Sequence, residues 1–174
     1  MDNVKLFFSI FYFNGHILIL DKLMVFGATA LIYLSFLPVF IMGLKGGIKE
    51  KKVLLLIILG VPIAFLLIEG IHFFYYETRP FVTFNFTPIV SEAASSASFP
   101  SKHATIAGIV GFTFAHYKSK WTPLFLLLTL WVGFSRIYVG VHYPLDVLAG
   151  FLTSIVALII AVQVKNLLKF HFLK

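Results

Sequence analysis

Residues 23–44 read LMVFGATALIYLSFLPVFIMGL, a stretch with no charged side chain. A helix needs about 20 mostly apolar residues to cross the hydrocarbon core of a bilayer, so this stretch predicts a spanning helix. Four other apolar stretches have the same character, and the predicted spans are residues 23–44, 53–76, 103–117, 121–138 and 144–164. The expected fold class is all-α, a polytopic membrane helical bundle of about five transmembrane helices.

The composition favours one membrane-integrated domain over residues 1–174. Hydrophobic residues make up 60% of the chain and the mean hydropathy is +0.98, whereas soluble domains are about 45–50% apolar. A soluble domain of useful size does not fit. The chain has no cysteine, which excludes disulfides and thiolate chemistry. The net charge of +7 is interpreted as a topology signal, and no nucleic-acid partner is expected.

Residues 1–22 precede the first predicted span and are different in character. Val4, Phe7, Phe8 and Phe11 lie at helical spacing, with Lys5 nearby. This pattern predicts an interfacial amphipathic helix. The alternative is a signal peptide, but no convincing A-x-A-like cleavage site is present.

The lysines predict the orientation of the bundle. With five spans, the first side carries nine basic residues: Lys45, Lys49, Lys51, Lys52, Lys118, Lys120, Lys165, Lys169 and Lys174. The opposite side carries five: Lys5, Lys22, Arg79, Lys102 and Arg136. Cytoplasmic segments are enriched in Lys and Arg, so the first side is predicted to be cytoplasmic. The chain is therefore predicted to be a multi-pass protein of the cell membrane, with its polar clusters on the extracytoplasmic face.

One polar cluster lies where the last predicted span begins. His142 and Asp146 are four residues apart, so they share one face of a helix. The carboxylate can accept from one imidazole nitrogen and leave the other free as a nucleophile or base. Arg136, six residues earlier, can bind phosphate oxygens through its planar guanidinium. The alternative is a helix-capping histidine, an exposed aspartate and an arginine that reaches the lipid head groups.

A second cluster, Pro100-Ser101-Lys102-His103, opens the third predicted span. The free N–H groups of a helix N-terminus bind anions, Ser101 adds a hydroxyl, and Lys102 adds a positive charge. His103 is a candidate proton donor to a leaving oxygen. An ordinary serine-capped helix start explains the serine and the lysine but not the histidine.

A third cluster, Arg79-Pro80, follows the second predicted span, and His72 lies two helical turns earlier. Together Arg79 and His72 form a possible cationic clamp, although a lone arginine at a membrane edge is more often a topology signal. No metal site is expected, because a divalent ion held by oxygen ligands prefers several carboxylates, and these clusters contain one aspartate among several cations. No cofactor is expected either.

These residues resemble the motifs of the membrane-integrated type 2 phosphatidic acid phosphatase superfamily. The family signature is Lys-x6-Arg-Pro, then Pro-Ser-Gly-His, then Ser-Arg-x5-His-x3-Asp. Its third part is intact here as Ser135-Arg136, His142 and Asp146. Its second part has Lys102 in place of glycine, and its first part keeps Arg79-Pro80 but has His72 where the lysine should stand. The resemblance covers residues 53–150.

The resemblance implies a role for each motif residue. His142 would be the nucleophile, Asp146 would orient it, and His103 would be the acid. The phosphoryl oxygens would be held by Arg79, Arg136, Ser101 and the backbone at Lys102. No metal is needed in this family. Because His72 is not reliably charged near neutral pH, we hypothesise that Lys102 supplies the missing charge, and loss of phosphate affinity should then be larger in Lys102→Ala than in His72→Ala.

Within the family, the small size, the outward site and the Phe-Pro-Ser-x-His-Ala context look most like bacterial undecaprenyl pyrophosphate phosphatases. The predicted activity is metal-independent removal of the terminal phosphate of an isoprenoid pyrophosphate through a phospho-histidine. The alternatives are a phosphatase of phosphatidate or phosphatidylglycerophosphate and a non-enzymatic lipid or anion carrier. A haloperoxidase is disfavoured, since those relatives are soluble. The expected partners are the lipid substrate and the bilayer, while the oligomeric state is open.

Overall fold

The structure is a computed structural model that describes residues 2–168. Within these residues the fold is all-helical and contains no β-strand, which confirms the predicted class. The chain forms eight helices in this range: α1 (Asn3–Phe11), α2 (Leu18–Thr29), α3 (Leu31–Lys45), α4 (Ile48–Phe74), α5 (Pro80–Thr83), α6 (Lys102–His116), α7 (Thr122–Tyr138) and α8 (Pro144–Leu167).

Two of these helices, α4 and α8, are long and apolar enough to cross a membrane, and the bent pair α2 and α3 makes a third candidate span. With a rise of about 1.5 Å per residue, the 27 residues of α4 extend about 40 Å, which exceeds the roughly 30 Å hydrocarbon core. By the same measure, α6, with 15 residues, extends about 23 Å, and α7, with 17 residues, about 26 Å. The chain is therefore a membrane protein with two or three clear spans, and the count of about five stays a prediction.

The stretch 23–44, predicted as one span, is divided into α2 and α3 by a bend of 57°. The bend lies at Ala30, and Pro38, the proline in this stretch, lies eight residues further on. Next to the bend, the Ala28 carbonyl accepts a hydrogen bond from Nη1 of Arg136 at 3.0 Å. A side chain that takes a helix carbonyl interrupts the i→i−4 ladder. The break therefore gives a buried guanidinium a backbone partner.

The N-terminal segment is also shorter as a helix than predicted. Within residues 1–22, α1 ends at Phe11, and α2 has already begun at Leu18. Phe7 of α1 is completely buried and packs edge-on against Tyr143, with ring centroids 5.6 Å apart. The Asn3 side chain accepts from the backbone N–H of Leu145 at 3.1 Å. Helix α1 therefore packs against the start of α8, where the candidate site lies.

Helix α6 is the centre of the bundle and packs against α4, α7 and α8. Small residues allow these close approaches, as is usual between membrane helices. A Cβ atom on Gly108 would collide with the Ser154 hydroxyl of α8, and one on Gly111 would collide with the Thr129 hydroxyl of α7. Larger residues at either glycine would push α6 away from its neighbours.

Gly150 of α8 brings the start of α6 to the candidate site. A Cβ atom at Gly150 would lie 2.8 Å from the carbonyl oxygen of Ser101. With glycine there, the Ser101 backbone N–H donates to the Asp146 carbonyl at 3.0 Å. The starts of α6 and α8 therefore meet at the same end of the bundle, together with the end of α7. Of the lysines that predicted the orientation, Lys169 and Lys174 lie outside the described residues.

Candidate active site

His142 lies in the turn between α7 and α8 and is 2% exposed. Its Nδ1 is 3.5 Å from Oδ2 of Asp146, on the first turn of α8. Pro144 begins this helix, and the backbone N–H of Tyr143 donates to the same Oδ2 at 2.7 Å. Asp146 therefore caps its own helix while its carboxylate faces the imidazole. The predicted shared helix face is wrong, because His142 lies two residues before α8 begins.

Arg79 reaches the other side of the imidazole. Its Nη1 lies 3.2 Å from Nε2 of His142 and also donates to the Val141 carbonyl at 3.1 Å. Its Nε donates to the hydroxyl of Ser96 at 3.0 Å, which fixes the guanidinium. Because a guanidinium can only donate, Nε2 must be the acceptor and the imidazole proton must be on Nδ1, towards Asp146.

The protonation state of His142 follows from this setting. Burial, with the positive charges of Arg136 and Arg79, holds the pKa of His142 well below its ordinary value. The imidazole is therefore neutral at neutral pH. Its Nε2 lone pair accepts from Arg79 in this structure and can attack an electrophile whose oxygens take over that guanidinium. A neutral ring is the state that a nitrogen nucleophile requires.

Arg136, on the last turn of α7, is 2% exposed, and one of its three guanidinium nitrogens has no partner among the described residues. Its Nη1 is bonded to Ala28, and its Nη2 donates to the Glu92 carboxylate. Its Nε has no hydrogen-bond partner among the described residues. Glu92 also lies near Arg79, with 3.8 Å between Oε1 and Nη2. The two arginines thus face one position, which in this structure is taken by a carboxylate.

The start of α6 contributes Ser101 and His103. Ser101 is completely buried, and its hydroxyl caps the helix by accepting from the backbone N–H of Ala104 at 3.4 Å. His103 is half-buried and is placed among the charges of Arg136, Glu92 and Arg79. His103 is therefore close enough to the two arginines for their charges to act on it, and its role as the acid stays a prediction.

Lys102 and His72 form a separate cluster around Glu69. The Lys102 ammonium donates to Oε1 of Glu69 at 3.0 Å, and the two side chains are 45% and 62% exposed. Nδ1 of His72 lies 4.0 Å from the same oxygen. The structure thus pairs the Lys102 ammonium with a membrane-edge carboxylate and not with the phosphate-binding position predicted for it. The contact of Glu69 with His72 is thus longer than its contact with Lys102.

Two residues of the site were missed by sequence reasoning, Ser98 and Glu92. Ser98 is completely buried, and its hydroxyl donates to Oδ2 of Asp146 at 2.5 Å and lies 3.4 Å from Nδ1 of His142. Both residues belong to the stretch SEAASSAS at 91–98, where several serines are equivalent by sequence. The length of this connection was the one signal that could have identified them.

We expect Ser98→Ala to lower kcat about 10- to 100-fold, because the change removes one hydrogen bond to the ionised carboxylate that orients His142. Inhibition by inorganic phosphate should be unchanged, since Ser98 contacts neither arginine. Steady-state kinetics would measure both. Ser95→Ala, at an exposed position in the same stretch, is the matched control. A loss of phosphate affinity equal to the loss of kcat would contradict a role in positioning His142.

Comparison with known proteins identifies the family. The model of the PAP2 superfamily matches residues 51–169. The chain is 35% identical to undecaprenyl-diphosphatase BcrC of Bacillus subtilis (strain 168), over 88% of this chain and 79% of that protein. It is 31% identical to an undecaprenyl-diphosphatase of Sulfolobus acidocaldarius, over 68% of this chain and 58% of that relative.

A solved structure shares the fold. The crystal structure of Aquifex aeolicus LpxE covers 92% of this chain and 94% of its own, with a TM-score of 0.68 and 24% sequence identity. The family match includes all three motifs, and the B. subtilis relative covers most of the chain. The protein belongs to the PAP2 superfamily and is a phosphatase.

Proposed function

We propose that this phosphatase removes the terminal phosphate of undecaprenyl diphosphate through a phospho-histidine on His142. The observation that carries the proposal is the set of contacts around this imidazole. Asp146 and Ser98 lie at Nδ1, and Arg79 lies at Nε2. A neutral, oriented nitrogen beside a guanidinium is suited to attack a phosphorus atom whose oxygens the guanidinium holds.

The first step is transfer of the phosphoryl group to the enzyme. Nε2 of His142 attacks the terminal phosphorus, the bond from that phosphorus to the bridging oxygen breaks, and the lipid monophosphate leaves. The negative charge of the bound diphosphate stabilises the protonated form of His103, which donates its proton to the leaving oxygen. Arg79 and Arg136 stabilise the negative charge on the transferred group, which is the main task of the protein in phosphoryl transfer.

The second step is hydrolysis of the phospho-histidine. His103, now unprotonated, takes a proton from a water molecule that attacks the phosphorus. The bond to Nε2 breaks, inorganic phosphate leaves, and His142 returns to its neutral state. Asp146 keeps the Nδ1 proton in place throughout both steps.

Metal independence is part of the proposal and rests on the donor set. In residues 2–168, no group of three or more histidine and carboxylate side chains is arranged to hold a metal ion. The site offers two guanidinium groups instead, and these supply fixed positive charge to phosphoryl oxygens. Asp146 and Glu92, two carboxylates beside His142, already accept hydrogen bonds from Ser98 and Arg136.

A lipid substrate is supported by the surroundings of the site. An apolar groove of about 260 Å³ runs between α4 and α8, lined by Leu67, Ile71, Phe99, Ala149, Leu152, Thr153 and Val156. One end of the groove adjoins the site, because Phe99 follows Ser98 in the chain. An isoprenoid chain in this groove would have its diphosphate beside the arginines. The curated relatives described above are named for activity on undecaprenyl diphosphate.

The face of the membrane is also proposed. Six lysines lie at the end of the bundle opposite to His142, within residues 45–52 and 118–120. This distribution supports an extracytoplasmic active site in the cell membrane.

The test is phosphate release by the purified protein in detergent with EDTA present. We expect release from undecaprenyl diphosphate at a kcat/KM well above that for phosphatidate and phosphatidylglycerophosphate. Equal or faster phosphate release from either glycerolipid would be consistent with the proposed mechanism but would contradict undecaprenyl diphosphate as the preferred substrate. Loss of activity in EDTA that added Mg²⁺ restores would contradict metal independence.

A further inference from the structure

Glu92 occupies the position between the two arginines of the site. Its Oε2 accepts from Nη2 of Arg136, and its Oε1 is 3.8 Å from Nη2 of Arg79. The negative charge of Glu92 acts on both His103 and His142. The carboxylate therefore lies where the proposed mechanism needs the terminal phosphoryl group.

The carboxylate is ionised in this position. Burial raises the pKa of Glu92, whereas the charges of Arg136 and Arg79 lower it, and the net result is a pKa below the ordinary value. A carboxylate with one negative charge is thus held by two positive ones. A substrate that binds the arginines must displace this anion.

Glu92 fills the position incompletely. Its contact with Arg79 is longer than a hydrogen bond, and Nε of Arg136 is buried without a partner. A carboxylate has two oxygens, whereas a terminal phosphoryl group has three non-bridging oxygens and can engage more donors. The arrangement therefore suits a phosphoryl group better than the carboxylate that lies there.

Glu92 is also placed so that it can leave. It belongs to the connection between α5 and α6, and its neighbours Ser91, Ala93, Ala94 and Ser95 are all exposed, while Glu92 is turned inward. Rotation of this side chain into water needs no movement of a helix. Displacement is therefore a local change, whose cost is set by the ion pairs with the arginines.

We propose that Glu92 is a specificity-determining residue that keeps singly charged phosphodiesters out of the phosphoryl subsite. A phosphodiester head group of a bulk phospholipid carries one negative charge on its phosphate, no more than the carboxylate it would replace. A terminal phosphate carries close to two charges at pH 7, because its second pKa is about 6, and it displaces the carboxylate. This inference rests on the proposed function, since it assigns the subsite to a terminal phosphate.

The experiment compares wild type with Glu92→Gln. Inhibition by inorganic phosphate should become about tenfold stronger or more in the variant, because phosphate no longer competes with a buried carboxylate. Phosphatidylglycerol, a phosphodiester, should inhibit the variant in mixed micelles and leave wild type unaffected. Glu50→Gln, which removes the same charge near the far end of α4, is the matched control.

Thermal unfolding provides a second readout that does not need turnover. Phosphate should raise the midpoint of Glu92→Gln more than that of wild type, because it fills the place of the missing anion. If Glu92→Gln does not fold, the same measurements on Glu92→Asp test the proposal. This variant keeps the charge but shortens the side chain, and phosphate inhibition should again strengthen.

Unchanged or weaker phosphate binding in the variants would make Glu92 a structural counter-ion and overturn the inference. Inhibition of wild type by phosphatidylglycerol would do the same. Failure of the proposed function is a separate result, namely no phosphate release from undecaprenyl diphosphate by wild type. The thermal experiment would still report whether phosphate and Glu92 compete.

Discussion

His142→Ala is expected to abolish phosphate release, with kcat lowered about 10⁴- to 10⁶-fold, the range for loss of a covalent nucleophile. The reason is that no other nitrogen in the described site is held between a carboxylate and a guanidinium, with Asp146 at 3.5 Å and Arg79 at 3.2 Å. Release of inorganic phosphate from undecaprenyl diphosphate measures the loss. Rapid quenching with radiolabelled substrate measures the covalent intermediate, which should be labile to acid and absent from the variant.

His116→Ala is the matched control for this experiment. His116 lies on the last turn of α6, fourteen residues and about four turns beyond Lys102, so the change removes an imidazole far from the arginines. Its activity and labelling should equal those of wild type. Substantial turnover by His142→Ala, with labelling retained, would show that another group is the nucleophile and would contradict the mechanism.

Arg136→Lys is expected to lower kcat/KM about 10²- to 10³-fold, or about 3–4 kcal/mol of transition-state stabilisation. Lysine keeps the positive charge next to Glu92 but loses the planar fork and the unpaired buried Nε that a phosphoryl oxygen can occupy. Steady-state kinetics with undecaprenyl diphosphate measures the effect. Inhibition by inorganic phosphate should weaken in parallel, because the same donors hold the free anion.

Lysine is preferred to alanine for this test because Arg136→Ala is expected to destabilise the folded protein. Arg136→Ala would leave Glu92, whose side chain is 23% exposed, beside a single arginine. Breaking a fully buried ion pair costs about 3–5 kcal/mol, so the cost at this half-buried pair is expected to be smaller but still destabilising. The thermal midpoint of Arg136→Lys should therefore be recorded with the kinetics. A variant that unfolds at the wild-type temperature and retains full kcat/KM would show that charge alone is needed at residue 136.

The sequence predicted much of the candidate site because the family motifs place chemistry at fixed spacings. Asp146 lies close to His142, although His142 precedes α8 and does not share its face, and Arg79 contacts the same imidazole. The charges of Arg136 and His103 also act on His142. The motif spacing did not predict which way the Lys102 side chain points. Its side chain turns to Glu69, and an exposed, flexible lysine follows the nearest opposite charge.

Ser98 and Glu92 could not have been identified in this way. A serine or a glutamate in a polar connection has no periodicity and no spacing to a helix end that would distinguish it from its neighbours. Only the folded connection shows that Ser98 is buried against Asp146 while Ser95 is exposed. The bend at Ala30 was hidden for the same reason, since its cause is Arg136, more than a hundred residues away.

By itself the sequence determined the properties that depend on local composition and spacing. These are an all-helical membrane protein, because apolar stretches of this length must satisfy their backbone within a helix, and the three motifs of a PAP2 phosphatase. The tertiary structure alone decided which charges meet. Whether Glu92 or Lys102 lies beside the arginines depends on how the connection before α6 folds onto α7 and α8. Such long-range contacts are set by packing around Gly150 and Gly108, and no pattern within one segment encodes them.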